Sequence, residues 1–211
     1  MSDDGDLLPD GNLIRSVTPK RLATFSDGIF AVIITIMVLQ LKLPAKPTFA
    51  ALFEQWPLAL SYAVSYLFIT IVWINHHFLL RFASTSTPRL ILFNFIHMFP
   101  ASLVPFATAW IADSRIAPVP AFVYAAVILM VNMGYHAFAW EALPHPGQDH
   151  AVPRIRRTVL TRSYVTMAIF ASAMLIALEI PWLGFAVVTC VLLSYMRPEI
   201  GGGRYGASPG T

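Results

Sequence analysis

Long hydrophobic runs, separated by short polar segments, dominate the pattern of this chain. A helix that crosses the roughly 30 Å hydrocarbon core of a membrane needs about 20 mostly apolar residues. The last two apolar runs are short and meet near Glu179, so one broken helix is the alternative there. The pattern predicts an all-α integral membrane protein with six transmembrane helices: Leu22–Leu41, Pro57–Leu80, Leu90–Ala112, Ile116–Trp140, Ser163–Leu178 and Ile180–Met196.

Polar segments set the expected boundaries of the membrane domain. Residues 1–17 form a polar tail, residues 18–198 hold the six helices, and the glycine-rich residues 199–211 are expected to be disordered. The longest predicted connection runs from Glu141 to Thr161. Pro100 and Pro105 are expected to kink or break the third helix.

Composition excludes several classes of protein. The 211 residues are 57% hydrophobic and only 12% charged, whereas soluble domains average about 25% charged residues. No catalytic motif is present in the sequence, so we expect neither enzyme activity nor a resident cofactor. A net charge of +3 without a long basic run argues against nucleic-acid binding, and the single Cys190 cannot form an internal disulfide.

The distribution of Lys and Arg predicts the orientation. With the amino terminus in the cytoplasm, an even number of spans also returns the carboxyl terminus there. The outside then holds three basic residues, Lys42, Lys46 and Arg115, against eleven inside. The inside residues are Arg15, Lys20, Arg21, Arg81, Arg89, Arg154, Arg156, Arg157, Arg162, Arg197 and Arg204.

One carboxylate lies inside the first apolar segment. The stretch R-L-A-T-F-S-D-G runs from Arg21 to Gly28 and places Asp27 about five residues, or roughly 8 Å, into the segment. Because a carboxylate facing lipid is costly, we expect a polar partner inside the helix bundle. The alternative is that Ser26 and Asp27 cap the true helix start and face headgroup water.

Helical phase separates Asp27 from a stripe on the other side of the first helix. At about 100° per residue, Asp27 falls on the far side of the helix from Val32. Two opposed faces suit a helix that lines a pore and is braced from behind. The alternative is that the stripe packs ordinarily and that its threonine bonds back to its own helix. The stripe consists of Gly28, Val32, Thr35, Ile36 and Leu39.

The R-x-x-x-F-S-D-G signature at Arg21–Gly28 resembles that of the transmembrane protein 175 family. These proteins are the potassium channels of animal endosomes and lysosomes and their bacterial and archaeal relatives. The resemblance extends to the segment W-I-N-H-H from Trp73 to His77. Six spans in a chain of this length also fit the single-repeat prokaryotic members.

The resemblance implies a homotetramer in the cell membrane, with four copies of the first helix around a central pore. It implies passive conduction of potassium and other monovalent cations, with no metal or cofactor. The family lacks the TVGYG filter of ordinary potassium channels, and this chain lacks it too. The implied constriction falls on Val32, the implied hydroxyl layer on Thr35, and a further apolar ring on Leu39.

The remaining signature residues are implied to hold the first helix rather than to line the pore. In the predicted orientation, the second helix returns to the membrane level of the carboxylate, so a charge-assisted hydrogen bond between the two helices is expected. The predicted structural network consists of Arg21, Phe25, Ser26, Asp27, Trp73, His76 and His77.

A second interpretation assigns the ionisable groups to transport. Asp27 with His76 or His77 would then serve a secondary carrier coupled to protons or another ion, although such groups are otherwise scarce within the spans. Adjacent histidines do not easily ligate one ion, because helical metal ligands are usually spaced i, i+4, so no metal site is predicted. Asn94 and His97 are expected to make interhelical hydrogen bonds.

Overall fold

The computed structural model describes residues 18–83, 86–144 and 152–195, and every regular element in these ranges is an α-helix. The predictions for residues 1–17 and 199–211 lie outside the described residues. The helices are α1 (Pro19–Leu39), α2 (Phe49–Phe53), α3 (Trp56–Leu80), α4 (Pro88–Ser102), α5 (Val104–Asp113), α6 (Pro118–Ala142), α7 (Val152–Glu179) and α8 (Pro181–Tyr195).

The all-helical membrane architecture predicted from the sequence is confirmed. Five segments are long and apolar enough to cross a membrane, with α4 and α5 together forming one of them. The sixth predicted span corresponds to α8, which has 15 residues and is therefore only about 22 Å long. α7 and α8 are two helices, separated at Ile180.

The first helix begins well before its carboxylate. Thr18 is the N-cap, its hydroxyl accepts the Arg21 backbone N–H at 3.3 Å, and Pro19 occupies the first turn. Proline suits this position because it has no N–H to leave unpaired. The alternative that Ser26 and Asp27 cap this helix is therefore wrong.

One interruption between helices was predicted, and one connection differs from its prediction. The third span breaks at Leu103, between the prolines Pro100 and Pro105, as expected of residues that interrupt helical hydrogen bonding. α7 begins at Val152, so the predicted loop from Glu141 to Thr161 is wrong in its second half. Its arginines weaken the apolar signal but favour helix.

Contacts between helix ends establish the alternating direction of the helices. Lys42 Nζ lies 2.8 Å from both carboxylate oxygens of Asp113, which joins the ends of α1 and α5. The Trp56 and Trp182 rings stack with centroids 5.4 Å apart, which joins the starts of α3 and α8. Successive long segments therefore cross the bundle in opposite directions.

The core lies around α6, which packs against α3, α4, α5, α7 and α8. Ile69, Tyr124, Phe170 and Val188 are among its fully buried side chains. α1 packs against α3, α4 and α5, so it lies at the edge of the bundle. The buried face of α1 consists of Leu22, Ser26, Phe30, Ile33 and Met37.

Candidate functional site

The edge position of α1 leaves one of its faces uncovered by the other described residues. Val32 is 56% exposed and Leu39 is 76% exposed. A Cβ added at Gly28 would meet nothing within 4 Å. The uncovered face contains all five residues of the predicted stripe: Gly28, Val32, Thr35, Ile36 and Leu39. Among the described residues, this apolar stripe is thus left largely without packing partners.

Thr35 provides the stripe with its only hydroxyl group. Its Oγ1 donates a hydrogen bond to the Ala31 carbonyl oxygen at 2.8 Å, which is the bond that the packing alternative expects. The side chain is nevertheless exposed. Since the hydroxyl hydrogen is used along the helix, the remaining lone pairs of the oxygen are available to an outside donor or cation.

A groove runs beside the stripe, between α1 and the α4–α5 break. Its volume is about 650 Å³. The polar side chains in its wall are few, and most of the surface is aliphatic or aromatic. The lining residues are Thr24, Phe25, Gly28, Ile29, Val32, Ile33, Ile36, Gln40, Ser102, Pro105 and Phe106.

Asp27 lies on the side of α1 opposite the uncovered stripe, where it contacts α3. The Trp73 indole Nε1–H donates to Asp27 Oδ1 at 2.8 Å, and the Asp27 side chain is partly buried. His77 contributes no hydrogen bond to this pair, but its ring lies 5.8 Å from that of Trp73. The carboxylate is thus satisfied inside the bundle by a donor from a neighbouring helix.

A second polar contact joins α1, α3 and α4 one residue away. His76 Nε2–H donates to Asn94 Oδ1 at 2.7 Å, and the Ser26 hydroxyl lies 3.2 Å from the same oxygen. All three residues are fully buried. The His76 ring also stacks on Phe138, with centroids 4.9 Å apart.

Asn94 is the residue of this contact that sequence reasoning did not assign to the site. The available signal was a single amide within an otherwise apolar segment. His97, one turn further on, donates through Nδ1 to the Val131 carbonyl of α6 at 3.1 Å. These two side chains make the interhelical bonds that their spacing suggested, but to different partners.

Arg21 and Phe25 have different surroundings from those expected. Arg21 is exposed, and its side chain makes no hydrogen bond or ion pair within the described part of the chain. It lies in the first turn of α1, where solvent replaces a protein partner. Phe25 is 49% exposed and contacts the Phe95 ring at a centroid distance of 5.4 Å. The single predicted network is thus two separate contacts without Arg21.

Metal coordination has no support in the described ranges. No group of three or more His, Cys, Asp or Glu side chains there is placed to hold an ion.

The contacts that hold α1 against α3 and α4 are hydrogen bonds and ring contacts. The arrangement can therefore fix the rotation of α1, while its uncovered face stays available to another molecule.

Comparison with known proteins finds sequences similar to this chain. Residues 21–105 match the family model "Endosomal/lysosomal potassium channel TMEM175". A potassium channel of Chryseobacterium sp. is 28% identical over 183 residues, which cover 87% of this chain and 95% of that protein. A potassium channel of Streptomyces collinus is 33% identical over 129 residues, or 57% of this chain and 63% of that protein.

Solved structures show the same fold. A lysosomal potassium-selective channel TMEM175 homolog from Chamaesiphon minutus superposes with a TM-score of 0.76 at 23% identity, covering 84% of this chain and 95% of that one. A variant of the potassium channel MtTMEM175 gives a TM-score of 0.61 at 17% identity, with 83% and 88% covered. The model match spans α1 to the start of α5, and the structural match extends through most of the remaining helices. The chain is therefore similar to TMEM175 channels, in sequence over residues 21–105 and in fold over most of its length.

Proposed function

We propose that this protein is one subunit of a potassium-permeable cation channel, which conducts passively through a central pore lined by α1. The observation that carries the proposal is the stripe of α1 that the described part of its own chain leaves uncovered. The relatives named potassium channels support the choice of ion. The function requires no covalent chemistry.

A single α1 cannot enclose a pore, so the proposal requires a homo-oligomer, and we take it to be a tetramer. The uncovered stripe would face the symmetry axis. The groove between α1 and α5 lies beside the stripe and would receive a neighbouring copy. Packing of the groove against a neighbouring copy would favour assembly through van der Waals contacts, since lipid gives transmembrane helices no hydrophobic driving force to associate.

The stripe supplies two kinds of ring to such a pore. Val32 and Leu39 would form apolar rings, which can close a pore by excluding water. Thr35 would form a layer of hydroxyl oxygens between them, and these oxygens can replace part of the hydration shell of a cation. The same residues would then serve both as constriction and as gate.

Passive conduction is favoured over a carrier by the position of Asp27. Its carboxylate bonds to Trp73 on the side of α1 away from Val32. His76 is fully buried and bonds to Asn94. Neither group lies on the uncovered face, where a coupling ion would have to bind and leave.

We further propose that the channel lies in the plasma membrane with both termini in the cytoplasm. The support is the excess of basic residues at the ends assigned to the inside, eleven against three. Positive charges are retained on the cytoplasmic side during insertion.

Current through purified protein in planar bilayers tests the function. With potassium and sodium gradients at equal pH on both sides, we expect a current that reverses near the potassium equilibrium potential and needs no proton gradient. Flux only in the presence of a proton gradient would support a carrier instead. Absence of current from protein shown to be tetrameric would contradict the proposal.

Cross-linking tests the arrangement of α1 independently of current. Cys190 is the single cysteine, so a Cys190→Ser background allows one site to be examined at a time. Leu39→Cys in that background should cross-link between copies under oxidation. Leu178→Cys, exposed near the end of α7, is the matched control and should not.

A further inference from the structure

A second cavity lies away from α1, between α3, α6, α7 and α8. Its volume is about 610 Å³, within the range of roughly 300–1,000 Å³ typical of ligand sites. Its walls include Asn75 and Phe78 near the end of α3, and Leu192 and Tyr195 near the end of α8. These helix ends lie on the same side of the bundle as the arginine-rich start of α7.

The wall that α7 contributes changes from cationic to apolar along its length. Arg154, Thr158, Arg162, Thr166 and Phe170 all line the cavity and recur every four residues, so their row winds gradually around the helix. From first to last they span about 24 Å at 1.5 Å per residue. At the apolar end, Phe170 faces side chains of the other helices: Phe68, Ile71, Val72, Val131 and Leu192.

The arginines of α7 do not all contribute to this wall. Arg156 turns to α6, where its guanidinium donates to the Trp140 and Leu143 carbonyl oxygens at 3.1 and 2.7 Å. Arg157 is exposed and outside the cavity. Arg154 and Arg162 line it, and the Arg162 guanidinium lies 5.2 Å from the Tyr195 ring centroid. Retention of positive charge on one side of the membrane explains the presence of these four arginines. It does not explain why two of them line the cavity and two do not.

We propose that the cavity binds one anionic phospholipid per subunit. The phosphate lies between Arg154 and Arg162, and an acyl chain follows α7 towards Phe170. Guanidinium groups form charge-assisted bonds with phosphate oxygens. An anionic headgroup also carries a net negative charge, which a zwitterionic headgroup such as phosphatidylcholine lacks. A free phosphate ion has no apolar part to occupy the apolar end of the cavity. A wall that is cationic at one end and apolar at the other therefore fits a lipid better.

Lipid retention measured by native mass spectrometry tests the site. Protein is reconstituted in vesicles of equal parts dioleoylphosphatidylglycerol and dioleoylphosphatidylcholine, extracted in mild detergent and analysed. We expect phosphatidylglycerol to be retained preferentially, at up to one molecule per subunit. Arg154→Ala and Arg162→Ala should each lower its retention about fivefold, a typical contribution of one basic residue near an anionic lipid.

Two further variants separate the site from general surface charge. Arg157→Ala removes an arginine of the same helix outside the cavity and should leave retention unchanged. Ile71→Trp fills the apolar end while keeping both arginines and should lower retention of phosphatidylglycerol. If Arg162→Ala does not fold, Arg154→Ala still tests the role of the arginines, because Arg154 is exposed.

Three results would overturn the proposal. Equal retention of the two lipids by the unmodified protein would show that the arginines do not select the headgroup. An equal loss in Arg157→Ala and Arg154→Ala would assign the effect to surface charge. Displacement of the lipid by millimolar inorganic phosphate would show that the acyl chain is not held. The readout does not depend on conduction, so it can fail or succeed separately from the channel.

Discussion

The indole N–H of Trp73 donates to the carboxylate of Asp27 at 2.8 Å, and this bond joins α3 to the back of α1. Its direction matters because Val32 lies on the opposite, uncovered side of α1. One residue away, Ser26 is fully buried against Asn94. The two contacts fix the rotation of α1 about its axis and thereby determine which side chains remain uncovered.

Removal of the indole donor should destabilise the protein. Trp73→Phe keeps an aromatic ring but leaves the partly buried Asp27 carboxylate without this bond, at an expected cost of about 1.5–3 kcal/mol for a hydrogen bond to a charged group. Thermal unfolding of the purified protein measures the loss. Trp110→Phe, at the end of α5 without a hydrogen bond to its indole among the described residues, is the matched control. Equal melting temperatures of the two variants would show that the bond does not brace α1.

Asn94 should be coupled energetically to His76 but not to His97. Asn94→Leu leaves the buried His76 N–H without an acceptor, which costs about 1–3 kcal/mol. In a double-mutant cycle with His76→Phe, the effects should fall short of additivity by about 0.5–3 kcal/mol. The same cycle with His97→Phe should be additive, because His97 bonds to Val131 instead. Additivity in both cycles would contradict the contact.

Val32→Asn should increase the current. A polar ring would keep water in the constriction, and a barrier lower by about 1 kcal/mol corresponds to a roughly fivefold faster passage. Val38→Asn makes the same change on α1 outside the stripe and should leave single-channel current unchanged. Currents equal to that of the unmodified protein in both variants would remove Val32 from the pore.

Thr35→Val should lower discrimination between potassium and sodium while keeping side-chain volume. The variant removes the hydroxyl oxygens that would coordinate a partly dehydrated cation. Reversal potentials in mixed potassium and sodium solutions measure the effect. Thr70→Val on α3 is the control, because Thr70 likewise donates to its own helix, at 2.9 Å to Tyr66 O, but lies away from the stripe. An unchanged reversal potential in Thr35→Val would place selection elsewhere.

The apolar membrane segments, an interruption near Pro100 and Pro105, and the stripe on α1 could be predicted from the sequence. Apolar length, proline position and a rotation of about 100° per residue are local properties, so they need no knowledge of neighbouring helices. The start of α7 was missed for a related reason. Its first ten residues carry arginines, and a search for apolar length does not detect a helix that extends beyond the membrane.

The partners within the polar contacts could not be predicted in the same way. The sequence placed Asp27, Trp73 and the histidines at one membrane level, but several pairings satisfied that condition. Only the tertiary structure showed that Asn94 accepts from His76 and that Arg21 is exposed. The donor–acceptor distance of a hydrogen bond varies by only a few tenths of an ångström, and its angle is also restricted. Whether a pair meets these limits depends on the relative placement of the three helices.

The sequence by itself thus determined an all-helical membrane protein, its family resemblance and the stripe that we propose lines the pore. These features follow from hydrophobicity and from the regular geometry of a single helix. Only the tertiary structure decided which face of α1 is uncovered, and which arginines of α7 line a cavity. Both depend on where neighbouring helices exclude solvent, and no period along one helix encodes that.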